Sequence, residues 1–465
     1  MAFENISDSI IKVETLIGDS DPNKGIPVDS SKFKFLQLET NLFSISPICL
    51  LRYEFTHEDD KPKVYDNIYI RIYKNLDRDD QGATILNASL TILSANLVTF
   101  PSNDGIIERY DYICVSSSIY TLTNKMNIAF KDTKGIDVIS EILALKDNLS
   151  YQLTVDSEMD SSDKMNWIFS QKTSLDIIKK TLRHMSVQPH DKDIPILFSN
   201  ADRSAKLTTL KTLCLKNPKC TIIDTKSYDN IDEDDKKSYL KFADKVISKY
   251  QGAIPLLTNG YGQMLYQYNP WADQDFGPGI VGMILRTAQF ISDIIVEELK
   301  PLETAFRHPD KSDDECVYRA YESYNFSMGT MMQGTPIKPP NTNSNISTLK
   351  YVGINTKDLH YTYNVAPFIY ENIVRNFFAN SIDVICYTNG QNERFANFSE
   401  FPKLGDCVEL SLNSPNEEIE DNRNGKYLVG KYTIQFGGNT SIPVVKYSLF
   451  RDTLNTEKPK EEGEE

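Results

Sequence analysis

The stretch that decides the fold is GKYLVGKYTIQFGGNTSIPVVKYSLFRDTLN, Gly425 to Asn455. Tyr, Val, Ile, Phe and Leu recur through it, and the Gly437-Gly438-Asn439 cluster in the middle supplies a turn. The spacing predicts a long β-hairpin. Its first strand, Lys426 to Phe436, would run about 36 Å at roughly 3.3 Å per residue. Such a strand is long for a small sheet and suits a tilted barrel wall. Alternation puts Tyr427 and Val429 on one face, and Leu428, Tyr432, Ile434 and Phe436 on the other. Tyr447 and Leu449 on the return strand are expected to pair across it.

Working outward, the chain has 465 residues and a mass of 53.0 kDa, which calls for two to four domains. The 22 Phe and 25 Tyr, with many β-branched residues, predict a β-rich fold with packed cores. From about Phe33 to Val138 short apolar runs alternate with turn clusters; KVYDNIYIRIYKN alternates over Val64 to Tyr73. This is a barrel or sandwich pattern. The text then changes. In NWIFSQKTSLDIIKKTLRHMSVQ, Leu175, Ile178, Leu182 and Met185 recur at helical spacing, and Thr173 with Asp176 makes a capping box. IPILFSN reads as a strand. Tyr239, Ala243, Val246 and Tyr250 read as one face of a second helix, and Gly279 to about Leu299 as a third. KPPNTNSNIS, Lys338 to Ser347, is a linker, after which strands return. No repeat of short period stands out.

These readings predict a mainly β protein with an α+β middle: residues 1–155 an N-terminal barrel-like domain, 156–337 a mixed region with amphipathic helices, 338–455 a second barrel-like domain ending in the hairpin, and 456–465 a disordered acidic tail.

The net charge of −15 argues against phosphate-backbone binding as the main task. Seven cysteines, an odd number without a CxxC pair, fit buried free thiols in a reducing compartment. The N-terminus lacks the basic and apolar regions of a signal peptide, and the longest apolar run is far short of a bilayer span.

No catalytic, cofactor or metal residue is assigned. GKYLVGKY fails as a phosphate loop because Tyr432 stands where a Ser or Thr must hold magnesium. GPGIVG follows a loop rather than a strand. His184 and His190, near Asp191 and Asp193, lack the remaining ligands of a metal site. The run from Asp77 has Ala88 where calcium needs a bidentate Glu. Trp167 reads as a core anchor, and the aromatic stretch around Trp271 as an interface loop.

Three stretches, in order, resemble the central hub proteins of contractile phage-tail baseplates and related injection systems: NWIFSQKTSLDIIKKTLRHMSVQPHDKDIPILFSN; FANFSEFPKLGDCVELSLN, where the turn Pro402 to Gly405 introduces the strand Val408 to Leu412; and the closing hairpin. They cover about a fifth of the chain. The resemblance implies two similar barrel-like β domains per subunit and a homotrimeric ring. That ring would join a sixfold tail tube to a threefold central spike. The implied partners are the spike, the tube protein and other baseplate proteins. DNA would only pass through the channel, and no enzyme activity or cofactor is expected. The implied location is the virion tail, assembled in a host cytoplasm. The alternatives are a receptor- or carbohydrate-binding tail protein and a cell-wall hydrolase using two carboxylates.

Overall fold

The computed structural model describes most of residues 11–250 and 380–455, with short gaps; between 251 and 379 it describes five short strands and one further residue. In chain order the first strands are β1 (Ile11–Ile17), β2 (Ile26–Val28), β3 (Phe33–Asn41), β4 (Ile48–Thr56), β5 (Asn67–Lys74), β6 (Thr84–Ser102), β7 (Gly105–Val115) and β8 (Lys125–Lys134). Helix α1 (Gly135–Ala144), β9 (Gln152–Val155), β10 (Lys164–Thr173) and α2 (Ser174–His184) follow. Then come β11 (Pro195–Ser199), β12 (Ser204–Thr209), α3 (Leu210–Leu215), β13 (Pro218–Ile223), β14 (Tyr239–Lys241) and β15 (Ile247–Tyr250). The five short strands are β16 (Met264–Tyr266), β17 (Ile295–Leu299), β18 (Cys316–Tyr318), β19 (Met328–Thr330) and β20 (Leu349–Gly353). The chain closes with β21 (Asn380–Tyr387), β22 (Cys407–Ser411), β23 (Gly425–Gly437), β24 (Thr440–Phe450) and β25 (Thr453–Asn455).

The fold is mainly β, with a mixed α/β part. One sheet of 14 strands runs β14-β13-β22-β23-β3-β4-β7-β6-β5-β1-β2, with β24 on β23, β21 on β24 and β15 on β21. It curls into half a barrel. Strict alternation builds it. Cys49, Leu51, Tyr53 and Phe55 of β4 face inward while Ile48 and Leu50 face out. In β5, Ile68, Ile70 and Ile72 are buried in the same way.

The hairpin is present as expected, and its length has a cause. Along one edge, β23 pairs with β22 through Leu428, and then with β3 from Lys431 onward. Its other edge holds β24 from Leu428 to Gly437. The strand therefore hands over from the C-terminal block to the N-terminal block at Gly430, whose carbonyl accepts from Leu42 N at 3.0 Å. A β-bulge sits at the handover. The bulge corrects the expected faces: Val429, not Leu428, shares a side with Tyr432 and Ile434, because Val429 lies opposite Leu449 and Tyr432 opposite Tyr447. Leu428, Val429 and Tyr427 are all fully buried, so this wall has core on both sides. At the far end Gly437 takes φ +89, and a Cβ there would run into the Lys34 carbonyl oxygen. Only glycine closes the contact with β3.

A second core lies apart from the first. Ribbon β8–β10 packs Phe130, Trp167 and Phe169 against α1 and α2, which contribute Val138, Ile139, Ile142, Ile177, Ile178 and Leu182. Sheet β11-β12-β9 closes it with Leu197 and Leu207. The expected capping box forms: Asp176 N donates to Thr173 Oγ1 (3.2 Å) and Thr173 N donates to Asp176 Oδ2 (3.4 Å). A cap of this kind contributes about 1 kcal/mol. This core takes residues from both sides of position 155.

The structure also exposes a repeat that escapes a linear reading. KMNIAFKDTKGIDVISEILAL (125–145) and KMNWIFSQKTSLDIIKKTLRH (164–184) align without gaps, with seven identities in 21 positions. Each copy is a strand running directly into a helix, β8–α1 and β10–α2.

Three expectations are corrected. Gly135–Ala144 is a helix inside a stretch read as strands; its Val and Ile residues carry β propensity but recur at helical spacing. Residues 239–250 are not helical where described: β14 pairs β13, Phe242 bridges Cys386, and β15 pairs β21. Pairing with distant strands overrides the local pattern there. Ile295–Leu299, the end of the expected third helix, is strand β17 on β20; the rest of that helix, the Lys338–Ser347 linker and the 456–465 tail lie outside the described residues.

Candidate functional site

The residues weighed for chemistry scatter. GKYLVGKY lies in β23, a core strand, so it cannot form a phosphate loop. Trp167 is an anchor of the second core, 3% exposed, and its Nε1 donates to the Thr133 carbonyl at 2.9 Å. His184 ends α2; His190, Asp191, Asp193, Asp77, Trp271 and the GPGIVG run lie outside the described residues. Among the described residues no three His, Cys, Asp or Glu side chains gather into a group able to hold a metal ion. No helix among them is long and apolar enough to cross a membrane.

Six cysteines, Cys49, Cys114, Cys214, Cys220, Cys386 and Cys407, are free and buried. Cys49 and Cys114 lie directly opposite each other on β4 and β7 without bonding. Burial raises every thiol it affects: Cys49 and Cys386 well above the ordinary value, Cys114 to about 12 and Cys407 to about 11. Thiolate is the reactive form, so these sulfurs are structural. In the folded protein at pH 8, a thiol reagent is expected to label none of the six; labelling of two or more sites per chain would contradict their burial, since only Cys316 lies outside this set. The raised values also set a direction for stability. The neutral thiols favour the fold fully below pH 9, and that contribution is lost as pH rises through about 11 and 12.

Polar groups buried at the base of the hairpin fix its geometry. Arg451, 1% exposed, lies over the Tyr427 ring at 5.4 Å and donates from Nη1 to the Asn424 carbonyl at 2.8 Å. Gly425, at φ +126, leaves room for that guanidinium: a Cβ would stand 2.6 Å from Nη1. Asp383, also buried, accepts from Ser448 Oγ at 2.7 Å and meets Lys446 Nζ at 3.1 Å. Tyr447 Oη donates to the Pro402 carbonyl at 3.0 Å, tying the Pro402–Gly405 turn to the return strand.

Exposed apolar side chains gather in two places on the large sheet. The β6 side of hairpin β6–β7 extends past β5, which leaves β6 after Thr91, while β4 flanks β7 as far as Ile107. On this hairpin Leu97, Val98, Phe100 and Ile106 are exposed, with Arg109 over the Phe100 ring at 4.6 Å. On the outer sheet face Ile48, Leu50 and Ile113 form a second exposed group. It is bounded by the forked pair Arg52–Asp111 (Nε–Oδ1 2.6 Å, Nη2–Oδ2 3.3 Å). Between the two cores, a cleft of about 260 Å³ is lined by Phe43 to Ser46 and the exposed edge of α2. Where exposed apolar surface is contiguous over several hundred Å², it marks protein contacts. None of it was legible in the sequence, because which apolar residue of a strand faces out depends on which side of the sheet the core packs.

No protein-family model matches the sequence, and no curated protein matches it. Solved structures do. The chain is similar to the 43 kDa tail protein of prophage MuSo2 from Shewanella oneidensis, with a TM-score of 0.51 at 7% identity over 95% of this chain and 99% of that one. A tail protein from Neisseria meningitidis MC58 gives a TM-score of 0.49 at 6% identity, covering 95% of this chain and 97% of that one. A chain of the half-lidded PdpA–VgrG complex from Francisella gives 0.46 at 10% identity; the match takes in 99% of this chain but 61% of the other. At such identities the likeness to the prophage tail protein is one of fold.

Proposed function

We propose that this chain is a structural hub subunit of a contractile-tail baseplate. Three copies form a ring that adapts a sixfold tail tube to a threefold central spike, and DNA passes through its channel. The chain turns nothing over. Its partners are its own copies, the spike, the tube protein and other baseplate proteins, and its place is the tail of a virion assembled in a host cytoplasm.

The observation that carries this reading is the extent of the fold match: 95% of this chain against 99% of a prophage tail protein, end to end. A shared module inside an unrelated enzyme would match in part. The exposed apolar residues of hairpin β6–β7 and the Ile48/Leu50/Ile113 group add support, since such surface suits contacts with other subunits. Averaged electron micrographs of the full chain mixed with the spike protein of its own particle test it. The expected image is a ring seated on the spike. Separate, unassociated particles would overturn the assignment.

A further inference from the structure

The inner face of ribbon β8–β10 belongs to the second core, and its outer face is open. The two strands carry five lysines, Lys125, Lys131, Lys134, Lys164 and Lys172, and one acid, Asp132. That is a net +4 on a chain of net −15. Lys125, Lys131 and Lys164 fall on the outer face, are exposed and have no ion-pair partner among the described residues, whereas Lys172 is in register with Met126 on the core side.

The ribbon bulges twice, at equivalent positions of the repeat. In one bulge Asp132 takes φ +52, and in the other Gln171 takes φ +53. Each bulge is held from the opposite strand by the asparagine of a KMN triplet. Asp132 N donates to Asn166 Oδ1 at 3.0 Å; Gln171 N donates to Asn127 Oδ1 at 2.9 Å, and Ser170 Oγ donates to the same oxygen at 3.1 Å. A backbone N–H can only donate, so the atom facing it is the carboxamide oxygen. Both Nδ2 groups are thereby the free ends, on exposed residues. The face thus presents two fixed amide donors among the ammonium groups of Lys125, Lys131 and Lys164. Lysines alone on an open ribbon would serve to block edge pairing. Amides locked with their donors outward play no part in that.

We propose that this outer face binds the phosphate backbone of double-stranded DNA; the choice of DNA rests on the hub reading above. Lysines supply charge and the asparagines hydrogen bonds, the contacts that hold a backbone without reading sequence. A duplex fits better than a single strand: Trp167, Phe169 and Phe130 all face the core, so no ring is offered for base stacking. The acidic remainder of the chain keeps the contact local and weak.

Fluorescence anisotropy of a labelled short duplex titrated with the full chain tests this. The three lysines predict a slope of log K against log salt of roughly −3, a loss of about fortyfold between about 50 and 200 mM salt. Replacing Lys125, Lys131 and Lys164 together with Gln should abolish binding, and each single Lys→Gln should reduce the slope by about 1. Asn127→Asp keeps the acceptor for the Gln171 amide but exchanges the donor for a negative charge, so binding should weaken while the melting temperature holds. No binding at low salt, undiminished binding by the triple variant, or displacement of the duplex by polyglutamate at equal charge would overturn the proposal. The readout is independent of ring assembly. Lysine-dependent DNA binding by a chain that never forms trimers would sink the hub reading alone, and trimers indifferent to DNA would sink this inference alone.

Discussion

Phe436→Asp is expected to yield insoluble protein, or protein that never assembles. Phe436 is buried at the end of β23, where its ring stacks on Phe33 at 5.9 Å, and its backbone neighbour on β3 is Leu36. A carboxylate there either stays charged at a cost of several kcal/mol or is protonated at a similar cost. Domains are stable by only about 5–15 kcal/mol, so one such charge consumes much of the margin. The position also matters for topology. β23 is the only described strand hydrogen-bonded to both the C-terminal strand β22 and the N-terminal strand β3. Loosening its far half separates the two blocks. Soluble protein of wild-type native mass from this variant would show that the hairpin is not the shared wall described here.

Trp167→Ala is the second. The indole is 3% exposed, stacks on Phe169 at 6.2 Å and hydrogen-bonds the Thr133 carbonyl. Truncating a buried Trp costs about 3–5 kcal/mol in lost transfer energy and cavity. Here it also leaves a ladder carbonyl of the ribbon short of a donor. The loss should be concentrated in the β8–α1 and β10–α2 repeat. Hydrogen exchange on the variant is expected to quicken in residues 125–145 and 164–184 while β3, β4 and β7 keep their protection. Uniform quickening over the whole chain would mean that the two cores fold as one.

Local signals were readable where the answer is local. The Thr173–Asp176 capping box, the turn that ends in Gly405 and the pattern of the closing hairpin are each specified within a short stretch of chain, and each is in place. The helix expected at 239–250 fails for the opposite reason. Its strands are made by β13 and β21, and a helical period in a short polar segment yields to those pairings. The bulge at Gly430 shifts every later side chain of β23 to the other face, and an even alternation cannot contain it. The pairing of β23 with β3, Phe436 opposite Leu36, joins residues from opposite ends of the chain and leaves no local trace. The twin KMN triplets are the signal a reader could have found. They mark both the strand–helix repeat and the asparagines that hold its bulges. A gap-free alignment of the chain with itself at an offset of 39 residues brings them together.

The proposed hub role rests on the end-to-end fold match with a prophage tail protein and on exposed apolar side chains, not on any assigned catalytic residue. The measurement that tests this most directly is the native mass of the purified full chain, alone and with its spike protein. The account predicts three times 53.0 kDa, appearing or sharpening when the spike is added. A strict monomer under both conditions would contradict it.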